Sequence, residues 1–154
     1  MAKQPHRDKA SGAEQAFLAQ ALELLARTLQ LEYRFIMDYP RLMRMFRDRE
    51  VKATLRLLWK DSACHADILT HVIRGLGGAP PFPTQEPLPN LPVAEILRKQ
   101  LEYEKEAQTL HTQAAGLAGP LRLGPLRDIA QQERWHVLRV ERILYRLGQR
   151  SGGE

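Results

Sequence analysis

The chain has 154 residues, 44% of them hydrophobic and 27% charged, a balance that suits one folded domain and excludes disordered, collagen-like and low-complexity classes. Lys and Arg total 23 against 18 Asp and Glu, a net charge of +5, which permits attraction to nucleic acid or anionic membrane without requiring either. The single cysteine, Cys64, excludes an internal disulfide framework and a cysteine-only zinc site and favours a reducing, cytoplasmic setting; no apolar run reaches the ~20 residues of a membrane span.

Residues 1–12 are polar and basic and read as a flexible tail ahead of a bundle over 13–148. From Ala13 to Asp38 there is neither Pro nor Gly, and Leu18, Leu22, Leu25, Leu29, Ile36 and Tyr39 return to one helical face. Pro40 is expected to end this helix, with a second from about Arg41 to Leu76 carrying Leu55, Leu58, His65, Leu69 and Val72 on one stripe. Gly77-Gly78 stops it. Residues 79–92 hold six of the ten prolines and predict a stiff, extended connector. Helix three is expected over Val93–Leu117 and helix four over Leu126–Leu147, separated by Gly119-Pro120 and Gly124-Pro125, with a polar tail over 149–154. No alternating apolar run supports a sheet, so the chain reads as all-α.

The connector discriminates between topologies. A helix of about 27 residues is ~40 Å long at ~1.5 Å per residue, and fourteen extended residues reach ~43 Å at ~3.1 Å each. That reach carries the chain from one end of a bundle to the other, leaving helices two and three parallel and the other neighbours antiparallel. The alternative is a disordered proline-rich loop.

Each helix places a polar residue where its apolar stripe calls for a hydrophobic one. Glu32 falls among Leu25, Leu29, Ile36 and Tyr39, and His65 among Leu58, Leu69 and Val72. Glu104 shares a face with Leu97, Ala107, His111 and Ala114, and Glu133 with His136 forms a Glu-x-x-His step among Ile129, Val140 and Leu147. A Glu and a His three apart share a face and can hold one metal ion. The two hairpins also echo each other. Glu32 is followed by Tyr39 at plus seven and His65 at plus thirty-three, and Glu104 by His111 at plus seven and His136 at plus thirty-two. Such an echo would gather the four stations at mid-bundle as a site for iron or manganese, because unpaired buried carboxylates cost several kcal/mol each.

On these residues the chain resembles the ferritin-like superfamily, in its bacterioferritin and rubrerythrin branch, over residues 17–148. That family's site takes one Glu from each of two helices and a Glu-x-x-His pair from each of the others. The resemblance implies an antiparallel ferritin-like bundle with one long crossover, and metal ligands Glu32, His65, Glu104, Glu133 and His136. The run His65-Ala-Asp, followed by Leu76-Gly-Gly-Ala-Pro80, is similar to bacterioferritin in spacing. The family's pattern departs at one station: three residues before His65 stands Ser62 in place of a bridging glutamate. A hydroxyl lacks the charge and reach of that carboxylate, so the position nearer Glu32 and His65 is expected to be weakened, altered or vacant, with Asp61 as a candidate substitute. Tyr39 and His111 would bond the opposite hairpin's glutamate behind the ligands.

Ala63 stands where bacterioferritin resemblance would need a haem-ligating methionine, so no haem is expected. Lacking a fifth helix, the chain is expected to form a homodimer rather than a cage. Cys64 is read as a small buried thiol, Trp59 and Trp135 as packing groups, His71 as a surface residue and His6 as part of the tail. Arg41, Arg44, Arg47, Arg49, Lys52, Arg56 and Lys60 read first as a solvated face and second as a nucleic-acid footprint. Two functions follow: a metal-binding bundle with ferroxidase or peroxide-scavenging activity, or a non-catalytic helical dimer that lost its complete site and acts through its basic surface.

Overall fold

The structure is a computed structural model and describes residues 11–84, 86 and 88–151. Most of the expected 1–12 tail and the last three residues lie outside the described residues. Four helices follow in order: α1 (Gly12–Met45), α2 (Arg49–Gly75), α3 (Val93–Leu121) and α4 (Pro125–Ser151). No strand occurs among the described residues, and no described helix is long and apolar enough to cross a membrane.

Local chemistry sets most helix ends. Ser11 opens α1 with a reciprocal cap: its hydroxyl accepts from Glu14 N while the Glu14 side chain accepts from Ser11 N. Asp48 caps α2 by accepting from Glu50 N and Val51 N. Gly77, at φ 81, takes the left-handed turn that closes α2, and Gly78 N reaches Ile73 O at 2.9 Å. Pro125 opens α4, where a missing N–H costs nothing.

Three expected boundaries are corrected. Pro40 lies inside α1 rather than ending it. A proline there forfeits a ladder bond, at about 3 kcal/mol, yet Tyr39 and Leu42 on either side are fully buried and hold the helix together. The chain breaks instead at Phe46, whose backbone is extended. Likewise α3 runs through Pro120 to Leu121, ending where Arg122 adopts φ 55 and Leu123 N bonds Ala118 O. Helix α4 continues past Gly148 to Ser151, so the polar tail expected from 149 is in part helical.

The helix directions follow from contacts. Tyr39 meets Glu104 and Glu32 meets His111, so α1 and α3 run antiparallel; α1 and α2 form a hairpin, and α2 and α3 are therefore parallel. His65 with Gln132 and Asp61 with Arg139 make α2 and α4 antiparallel. The connector is thus the expected end-to-end crossover. Gln30 pins it to α1, donating to Phe82 O at 2.7 Å and accepting from Thr84 N at 3.3 Å.

Two apolar clusters fill the interior. One gathers Phe35, Tyr39, Leu42, Leu55, Leu58 and Leu97, the other Leu25, Leu29, Leu69, Ile73 and Leu126. Between them along every helix lie the polar stations.

Candidate metal centre

All five expected ligands are buried: Glu32, Glu104, Glu133 and His136 at 0% exposure and His65 at 1%. Each is carried inward by the stripe that carries its apolar neighbours, so burial of the charge is imposed by burial of the leucines around it.

The donor atoms converge in two groups. Glu32, His65, His111 and Glu133 bring ligand atoms within 4.8 Å of one another, and so do Glu104, Glu133 and His136. Glu133 belongs to both. His65 Nδ1 stands 2.9 Å from Glu133 Oε1 and 3.3 Å from Glu32 Oε1. His136 Nδ1 stands 3.1 Å from the same Glu133 Oε1 and 3.6 Å from Glu104 Oε2. Despite these distances, His65 Nδ1, His136 Nδ1 and both Glu133 oxygens have no hydrogen-bond partner. Glu32 Oε2 and Glu104 Oε2 are likewise buried and unpartnered. Buried polar atoms are almost always satisfied, so a convergent set of orphans is the donor pattern a bound cation would complete.

Behind these atoms the outer contacts repeat about a pseudo-twofold axis. Tyr39 donates its hydroxyl to Glu104 Oε1, and His111 Nε2 meets Glu32 Oε1 at 2.6 Å. Each thus meets the opposite hairpin's glutamate, the arrangement that the family resemblance implies. His136 Nε2 lies 3.2 Å from Asp61 Oδ2, which also takes Arg139 Nη1 at 3.1 Å. His65 Nε2 lies 2.8 Å from Gln132 Oε1. Asp61 is four before His65 and Gln132 four before His136, so each histidine is backed by the residue one turn before its counterpart. Sequence reading missed Gln132, although the minus-four offset within the internal repeat points to it.

The repeat is broken by chemistry. Asp61 lies against His136 and Arg139, in the other half, and is not among the converging donor atoms around Glu32 and His65. Ser62 is fully buried and its Oγ has no partner. The half expected to be depleted gathers four donor residues, because His111 joins it and Glu133 is shared.

Electrostatics follow from this crowding. Burial lowers the affinity of His65 for its proton, but the nearby Glu133 and Glu32 carboxylates outweigh burial and raise its pKa to about 10. His136 is also opposed by burial, yet Asp61, Glu104 and Glu133 raise it to about 12. Burial lifts the Glu104 carboxyl to about 7, against the pull of His136. Glu133 is driven well below the ordinary carboxylate range, since His136 and His65 overcome the cost of its burial. The two histidines are therefore protonated near neutral pH and supply the positive charge that faces the buried carboxylates.

Two further sequence expectations are corrected. Cys64 is exposed rather than buried, and Trp135 is 62% exposed rather than a packing group; both lie on outer faces of their helices. Trp59 packs on the core as expected, and His71 is exposed. His6 lies outside the described residues.

No family model matches the chain, and no curated protein does. Solved structures do. Ferritin-like, diiron-carboxylate proteins from Bacillus anthracis str. Ames match with a TM-score of 0.72 at 22% identity, covering 82% of this chain and 96% of that one. The bacterioferritin of Desulfovibrio desulfuricans, studied for its diiron site in different catalytic states, matches at 0.73 and 19% identity, covering 90% and 86%.

Proposed function

We propose, for a chain with the ferritin-like four-helix-bundle fold, that the mid-bundle cluster is a metal centre and that its metal is iron, with manganese as the alternative ion. The observation that carries this reading is the set of buried, unpartnered carboxylate and imidazole atoms within 4.8 Å of one another in two groups that share Glu133. Carboxylate oxygen with imidazole nitrogen is the ligand chemistry of such centres.

In this reading Glu133 joins the two positions, Glu32 and His65 complete one, and Glu104 and His136 complete the other. Asp61 and Gln132 hold the outer ring nitrogens and so direct Nδ1 inward. Tyr39 and His111 fix the rotamers of Glu104 and Glu32, and the two apolar clusters keep bulk water out. Iron held there would supply one-electron redox chemistry, hence ferroxidase or peroxide-scavenging activity with ferrous ion as substrate. Ser62 leaves the site one carboxylate short of the family pattern, which sets two unequal positions as the expectation. No haem is part of the proposal.

Metal analysis of protein grown with iron or manganese, followed by an anomalous-scattering map of the bundle centre, tests this. One or two ions at Glu133 support it; a centre without metal at saturating supply sinks it. The proposal includes a cytoplasmic homodimer. Trp135, Leu138 and Tyr145 are large exposed apolar groups on one side of α4, and a monomeric mass in solution would exclude that part.

A further inference from the structure

The two halves of the centre differ in their donors. The Glu104 half has three donor residues, one imidazole and two carboxylates, from Glu104, Glu133 and His136. The Glu32 half has four, two imidazoles and two carboxylates, from Glu32, His65, His111 and Glu133. The difference is His111, which stands where the internal repeat places Tyr39 in the other hairpin. Tyr39 offers its glutamate a hydroxyl, whereas a neutral imidazole also carries a nitrogen lone pair that can bind a cation.

His111 is fully buried. Its Nε2 faces Glu32 Oε1 at 2.6 Å, and its Nδ1 has no hydrogen-bond partner among the described residues. Asp61 and Gln132 hold the outer nitrogens of His136 and His65 and so select which nitrogen of each ring bears the proton. No such group selects for His111, so its proton can sit on Nδ1 and leave Nε2 as a ligand atom. Four donors about 2.0–2.2 Å from one tetrahedral ion stand about 3.3–3.6 Å apart. Three of the gaps here are 2.6 Å, 2.9 Å and 3.3 Å, and none exceeds 4.8 Å, so small side-chain adjustments reach that spacing. A bare divalent cation is smaller than a water molecule, so the closure of these atoms to water does not exclude it. Two carboxylates and two neutral imidazoles also balance the charge of one dication.

We propose that His111 is a ligand as well as a support for Glu32, and that it makes the Glu32 half a closed, four-residue position for zinc beside an iron position in the Glu104 half. This rests on the reading of the cluster as a metal centre and divides its two positions between different ions. A second imidazole shifts preference from iron and manganese toward zinc, and four protein donors close a tetrahedral ion's coordination. The Glu104 half, with three donor residues, leaves coordination positions open, as a redox ion that meets its substrate requires. His111 thereby supplies the donor that Ser62 lacks, as nitrogen in place of carboxylate.

The test loads chelator-treated, full-length protein with one equivalent each of zinc and ferrous ion without oxygen and reads X-ray absorption at both metal edges. Zinc bound by two imidazoles and iron bound by one are expected. His111→Tyr keeps a hydroxyl for Glu32, as Tyr39 provides for Glu104, and His111→Gln keeps an amide donor; neither offers an imidazole nitrogen. Both should weaken zinc binding by more than about 100-fold, beyond the loss expected of a mere supporting group, and leave iron in place. The smaller Gln keeps the test readable should Tyr not fit. The proposal is overturned if zinc shows a single imidazole, if iron fills both positions against zinc, or if either folded variant binds zinc as tightly as the parent chain. A centre that takes neither ion overturns the metal-centre reading itself, whereas iron at both positions overturns only the assignment of zinc and His111.

Discussion

His65 and His136 lie with ring centroids 5.5 Å apart and planes 19° from parallel, and both direct Nδ1 at the same oxygen of Glu133. Glu133 thus meets both imidazoles, one from α2 and one from its own helix α4. Their outer nitrogens meet different groups, a carboxylate at Asp61 and an amide oxygen at Gln132.

Glu133→Gln is therefore expected to remove metal from both positions at once, with an affinity loss of more than about 100-fold. Glu32→Gln and Glu104→Gln should each affect chiefly one position. Metal stoichiometry for the three variants checks this; equal losses in all three would contradict a shared ligand.

The two outer partners should be unequal. Asp61→Asn removes the negative charge behind His136 and is expected to cost 10- to 100-fold in affinity at that position, while Gln132→Leu should cost less at the His65 position, because only a neutral acceptor is lost. A two-site titration by calorimetry resolves the two; a larger effect at Gln132 would reverse the assignment.

The pH dependence has a definite sign. His65 and His136 have folded pKa values of about 10 and about 12 against an ordinary 6.5, so their stabilising contribution to the metal-free protein is complete below pH 6.5. It is lost as pH rises through about 10 and then about 12. Glu104, raised to about 7 from 4.5, acts in the same direction over its own window. Metal binding has the opposite slope, since both imidazolium protons must leave before Nδ1 can act as a ligand. The Tm of chelator-treated protein should fall from pH 6.5 toward 10 while metal affinity rises; a Tm that climbs over this range would refute the proton assignment.

Ser62→Glu would add a buried carboxylate to the face of α2 that carries His65. The metal-free variant should lose several kcal/mol, as an unpaired buried charge costs, and metal should restore much of the loss because the carboxylate gains a cation. Thermal denaturation with and without metal measures the difference; a variant equally destabilised in both states would show that the side chain simply does not fit.

Tyr39→Phe tests the support of the centre rather than its ligands. It strips Glu104 Oε1 of its hydroxyl donor and should cost about 1–3 kcal/mol without abolishing metal uptake. Urea unfolding and metal analysis of the same preparation separate the two effects.

Much of this arrangement was legible in the amino-acid order. Helix number, the crossover and the inward placement of Glu32, His65, Glu104, Glu133 and His136 all follow from apolar period and its interruptions, which are properties of single helices. The internal repeat places Tyr39 and His111 at equivalent positions, plus seven from a glutamate, but that each meets the opposite hairpin's glutamate came only from the family resemblance. Helix ends at the prolines were not. Whether Pro40 stops a helix depends on how firmly Tyr39 and Leu42 are buried by other elements, and Pro120 is carried by a final turn that Arg122 terminates.

What the sequence by itself determined is which residues face inward, because helical periodicity is local and a buried leucine takes its neighbours on the stripe with it. What only the tertiary structure decided is which of those residues meet. Asp61 backs His136, Gln132 backs His65, and Glu133 serves both halves. Those pairings depend on the axial register of α2 against α4, which is set by packing between helices far apart in the chain.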